Sequence, residues 1–195
     1  MRKVISGILG LTVVVGLVVG VAFAVFSDPA SLTNMALSVG SNNLLIRLTG
    51  VGSFAETVDA TGFAELVPGG TEDVPFELQN NSNNQSFSLA GEIPSDPTTP
   101  ENWTALKGVV ECVVFDPAGS GPGSIGDGST SDSSGWFTLE EWRSASRDLP
   151  GDPLLEDGGT ASLVLRCGIP VSVSDGTLAG KSLSDLEFKV TGTQL

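Results

Sequence analysis

The sequence predicts an all-β protein, a sandwich of antiparallel strands with one or two short helices in its loops. Two observations carry this. Short runs with strand chemistry recur along the chain, several alternate with period 2, and Gly, Pro, Asn and Asp clusters separate them. Glycine is abundant, at 25 of 195 residues, and charged residues make up only 16%. That composition disfavours long helices.

The chain opens with a targeting signal. Arg2 and Lys3 precede the apolar run Val4–Val25, in which only Ser6 and Thr12 are polar. Ala22-Phe23-Ala24 is a small-residue cleavage site, followed by polar Ser27-Asp28-Pro29. Residues 1–24 therefore read as a secretory signal peptide. The run is also long enough to cross a bilayer, so a retained anchor is the alternative. Cleavage after Ala24 leaves an acidic chain that repels anionic lipid, and membrane contact is expected only through the signal before cleavage.

Residues 25–40 follow at once. This segment starts polar and then alternates, with Met35, Leu37 and Val39 on one side. It is joined to the rest through Gly40-Ser41-Asn42-Asn43. Such a leading strand can pair with its own sheet or with a neighbour's.

The remaining strand candidates are Leu44–Leu48, Phe63–Leu66, Val74–Leu78, Phe87–Ile93, Val109–Phe115, Ala161–Cys167 and Leu186–Val190. Val74, Phe76 and Leu78 share a face; so do Leu163, Leu165 and Cys167, and Leu186, Phe188 and Val190. Val109–Phe115 is apolar on both parities except Glu111, which predicts a central strand. A helix is expected over Leu139–Arg147, because Thr138-Leu139-Glu140-Glu141 is a capping box. A shorter helical turn is expected from Pro100 to Gly108, with Thr99 as its cap. Residues 116–135 hold twelve Gly or Ser in twenty and read as a surface loop.

Export makes the cysteines informative. Cys112 and Cys167 both lie in strand-like runs, and two is the minimum for one bridge in an oxidising compartment. A bridge between them closes a long loop, valued at roughly 4 kcal/mol in the chain-entropy model. Two buried free thiols are the alternative.

Several functions are excluded or weakly supported. Nine basic against 23 acidic side chains, net charge -14, rule out a general nucleic-acid-binding surface. The chain has no His, hence no His-based triad, no His-ligated zinc and no HExxH. Gly121-Pro122-Gly123-Ser124-Ile125-Gly126 matches G-x-G-x-x-G without a following helix pattern, and Gly176–Ser182 has one residue too few for a P-loop. Asp127, Asp132, Asp148, Asp152, Glu156 and Asp157 could offer oxygen ligands to calcium, but their spacing is not that of an EF-hand and a solvated acidic loop is the simpler reading. Trp103, Trp136 and Trp142 suit packing better than sugar stacking. The chain is read as no enzyme, with no cofactor and no metal.

Val25-Phe26-Ser27-Asp28, the block Met35–Leu44 and the block Val67–Ser82 resemble the TasA/camelysin family of secreted proteins, which a SipW-type signal peptidase processes. The closing Phe188–Gln194 is similar to that family's last strand. The likeness covers about the first 90 residues and the C-terminus. It implies a jelly-roll sandwich over residues 41–195. It also implies head-to-tail assembly of identical subunits by donor-strand complementation. Val25, Phe26, Leu32, Met35, Leu37 and Val39 would be the donated side chains. The expected function is a secreted structural subunit of an extracellular fibre or biofilm matrix. The alternatives are a membrane-anchored pilin-like surface protein and a sugar-binding or hydrolytic sandwich. Camelysin-like members carry a metallopeptidase label, whose HExxH motif is absent here.

Overall fold

The computed structural model describes residues 29–40, 43–82, 85–119, 125, 135–149, 158–173, 176–178 and 180–195. The signal segment with Ala22 and Ala24, the residues Val25 and Phe26, and the acidic residues Asp127, Asp132, Asp152, Glu156 and Asp157 lie outside them.

Twelve strands are described: β1 (Ala30–Val39), β2 (Leu44–Leu48), β3 (Val51–Ala55), β4 (Thr57–Leu66), β5 (Thr71–Asn80), β6 (Phe87–Glu92), β7 (Glu111–Phe115), β8 (Phe137–Thr138), β9 (Arg147–Asp148), β10 (Thr160–Gly168), β11 (Ser182–Ser184) and β12 (Glu187–Gln194). Two helices, α1 (Pro100–Leu106) and α2 (Leu139–Ser144), and a 3₁₀ turn at Gly176–Leu178 are the other elements among the described residues. The first sheet runs β4–β1–β12–β6–β9, with β11 beside the first half of β1. The second runs β3–β2–β5–β10–β7–β8. The two sheets pack face to face, and consecutive long strands mostly lie in opposite sheets, as a jelly-roll sandwich requires.

Alternation explains the core. Val74, Phe76 and Leu78 of β5 point inward, as do Leu163, Leu165 and Cys167 of β10, which pairs with β5 over nine positions. Leu186 stands just before β12, whose Phe188 and Val190 continue its inward face. Leu32, Leu37, Phe63 and Phe76 are fully excluded from solvent. Trp103, Trp136 and Trp142 are all buried. Trp142 meets Phe137 and Phe188 edge-on at 5.6 and 5.2 Å and donates its indole N–H to the Cys112 carbonyl at 3.1 Å.

Cys112 and Cys167 are bonded to each other. They sit directly opposite in the β7–β10 register, with Cα atoms 4.1 Å apart. A structural disulfide points to an oxidising, non-cytoplasmic compartment. Among the described residues no helix is long and apolar enough to cross a membrane.

Several elements differ from the sequence expectation. The helix after Thr138 stops at Ser144 rather than Arg147. The capping box does form: Glu141 N–H donates to Thr138 Oγ1 at 3.2 Å, and Thr138 N–H donates to Glu141 Oε2 at 2.8 Å. Arg147 instead pairs with Gly91 as strand β9 and lays its guanidinium over Phe137 at 3.8 Å, so tertiary contacts outweigh helix continuation. The expected strand Val109–Phe115 begins only at Glu111, because Val110 presents its carbonyl to the Leu139 N–H of α2. It is flanked on its outer side by the two-residue β8 rather than by a full strand. In the Gly/Ser-rich stretch, Ile125 packs its side chain close to Gly168 of β10, so one residue of that loop is tied to the body.

Candidate functional site

The residues read as a donated strand form β1, which holds an interior place in the first sheet of its own chain. One edge pairs antiparallel with β4, from Ala30↔Leu66 to Ser38↔Thr57. The other edge pairs parallel, first with β11 (Ser31↔Ser182 to Thr33↔Ser184) and then with β12 (Ala36↔Glu187 to Val39↔Val190). Backbone bonds close both ends of this seam: Ser31 N–H to Lys181 O at 3.0 Å, Ala36 N–H to Leu186 O at 2.9 Å, and Gly40 N–H to Val190 O at 2.8 Å. The strand thus joins the N-terminal segment to the C-terminal strand of the chain.

Its inward face is apolar. Ala30, Leu32, Met35 and Leu37 are all buried, Leu32 and Leu37 completely. Val39 is half-buried and packs against the same core. The strand begins at Ala30, earlier than the expected Met35, because Leu32 also points inward. The cause is Asn34, whose φ of 51° inserts an extra step between the two inward residues.

The outward face is polar and uncharged. Ser38 donates its hydroxyl proton to Glu187 Oε1 at 2.5 Å. Asn34, Ala36, Asp59, Thr61, Asp185 and Glu187 line an open cleft of about 680 Å³ above it. Among the described residues no three His, Cys, Asp or Glu side chains are grouped to hold a metal ion. On the second sheet, Arg166 donates to both Asp73 carboxylate oxygens at 2.6 and 2.7 Å. That hydrogen bonding raises its pKa above the ordinary arginine value, against a smaller opposing effect of burial.

No family model and no curated protein matches this chain. The site is therefore argued from its own geometry. Leu32, Met35, Leu37 and Val39, named from alternation and from the family likeness, all fall on or against the core in one strand. Sequence reasoning missed the lining of the slot: Phe63 and Ala60 of β4, Gly62 between them, and Leu183 and Leu186 beside β12. Phe63 and Leu186 lie in expected strands, Phe63–Leu66 and Leu186–Val190, and of the two only Leu186 has its face assigned by alternation. The parallel pairing with a segment some 150 residues away leaves no local mark.

Proposed function

We propose that this chain is an exported structural subunit that assembles head-to-tail into an extracellular fibre, with β1 donated by one subunit into the slot of the next. The observation that carries the reading is the place of β1. It is an interior strand with a fully apolar inner face, yet it joins the body only through the short link after Val39. A strand held in that way satisfies the same hydrogen bonds whichever copy supplies it, which is the condition for strand exchange. Passed head-to-tail along a rotation that does not close, such a contact propagates into a filament. The disulfide supports an oxidising destination, and the likeness to TasA/camelysin proteins supports the same class of assembly.

The test is electron microscopy of the secreted protein beside a form that begins at Ser41. The full mature chain should form filaments, and the shortened one should stay monomeric or precipitate through its open slot. Filaments of normal appearance from the Ser41 form would remove β1 from the assembly and leave it as the first strand of its own sandwich.

A further inference from the structure

We propose that the slot selects its strand by register, through a step shared by three neighbouring strands, and that the occupant it accepts in assembly is β1 of a second copy of this chain. The choice of a second copy rests on the fibre reading above; the register selection does not.

Strict alternation would place residues two apart on one face. In β1 the inward residues Leu32 and Met35 are three apart. The same step occurs in β4, between Ala60 and Phe63, and at the β11–β12 junction, between Leu183 and Leu186. Each step contains a residue in the left-handed region: Asn34 at φ 51°, Gly62 at 77° and Asp185 at 63°. The β1–β4 register shifts once, between Ala30 and Leu32; from Leu32 onward it is constant through all three strands, with Thr33 opposite both Gly62 and Ser184, Met35 opposite Ala60 and Ala36 opposite Glu187. Asn34 therefore lies level with Thr61 and Asp185. One line crosses these three neighbours, and along it they change parity together.

A strand entering this slot must change parity at the same place. One with perfect alternation would bury its apolar residues on one side of the line and turn them to solvent on the other. A slip by one residue would put Thr33 or Met35 into the left-handed conformation, which β-branched and bulky residues resist. Between Ala30 and Val39, Asn34 is the one Asn, Asp or Gly, so the strand carries a single register mark. Gly62 enforces the alignment from the other side. A Cβ there would clash with the Leu32 carbonyl oxygen, so the β4 backbone comes close where no side chain fits. Charge narrows the choice further. Asp59, Asp185 and Glu187 line the cleft over the strand, and residues 30–39 carry no charge at all. An acidic strand would be repelled.

Deleting Asn34 gives the sharpest test, because it places Leu32, Met35, Leu37 and Val39 in strict alternation. The deletion makes a better generic strand and a worse match for this slot. Hydrogen exchange on the exported protein should show β1 amides exchanging at least about 100-fold faster in the deletion. Amides of Phe76 and Leu165 in the second sheet should keep their protection and so report that the body remains folded. Asn34→Gly keeps the step and should leave β1 protected within about threefold. Gly62→Ala should expose β1 as the deletion does, with the strand itself unchanged. Labelled deletion chains should fail to join seeds of wild-type filaments, and Asn34→Gly chains should join them. Equal protection of β1 in the deletion and the wild type would overturn register selection. So would incorporation of the deletion at the wild-type rate, with the fibre reading intact. Wild-type protein that never forms filaments would overturn the choice of a second copy, and the exchange data would still decide the register.

Discussion

Leu37 offers a direct measure of what holds β1 in place. Its side chain is fully buried, opposite Val58 on one edge and Phe188 on the other. Leu37→Ala removes the transfer free energy and leaves a cavity, a cost of about 3 kcal/mol at such a site. In a chain of this size that lowers Tm by about 6 to 12 °C. Leu37→Asp behaves differently. An unpaired carboxylate at this depth costs more than about 5 kcal/mol, a large part of a domain's stability. Releasing the strand is the competing route, and in this variant it forfeits about 4 kcal/mol of gross burial from Leu32 and Met35 at about 2 kcal/mol each, plus pairing. The two costs are close, so the aspartate variant should eject β1 rather than bury the charge. Thermal unfolding followed by circular dichroism, with limited proteolysis of residues 29–40, reads both effects. The alanine variant should melt early and resist cleavage; the aspartate variant should be cut in this segment and form no filaments. An aspartate variant that melts within about 2 °C of the parent and remains uncut would refute the claim that this face is held by burial.

Three further outcomes are expected. Cys112→Ser should destabilise the protein by about 4 kcal/mol, since the bridge closes a loop between residues 55 apart; denaturant titration against the oxidised wild type checks it, and the reduced wild type should match the variant. Thr138→Ala should cost about 1 kcal/mol through loss of the α2 cap, seen as an earlier urea midpoint with an unchanged slope. Inserting four Gly or Ser residues between Ser41 and Asn42 should favour closure within one chain, so sedimentation should show more monomer and slower filament growth than in the wild type.

Much of the second sheet was legible because its strands obey period 2 without interruption. Val74–Leu78 and Ala161–Cys167 alternate cleanly, and their pairing carries the disulfide. The capping box at Thr138 was legible because both of its bonds are local. The first sheet was harder. The step at Gly62 hid the first half of β4, and the step at Asn34 hid the first half of β1, since each breaks the period used to find strands. β3 escaped notice because it is exposed, with Val51 63% accessible and Gly52 at positive φ. The apolar stretch at Val109 and Val110 suggested a longer central strand. Its burial comes instead from packing with the helices, which local sequence does not distinguish from a strand. The slot combines residues from both ends of the chain, and nothing in either end alone announces the other.

That arrangement sets an order of events in time. β1 is synthesised first, but two of the three strands that flank it, β11 and β12, are synthesised last. Contacts so distant in sequence form slowly, because the chain between them must be ordered before they bring any reward. Until β12 emerges, a nascent chain has a strand and no finished slot. A completed neighbour whose slot stands empty offers a ready place to that same strand. The fraction of chains that close on themselves is then set by a race between an internal step, independent of concentration, and an encounter whose rate rises with the density of subunits at the point of release.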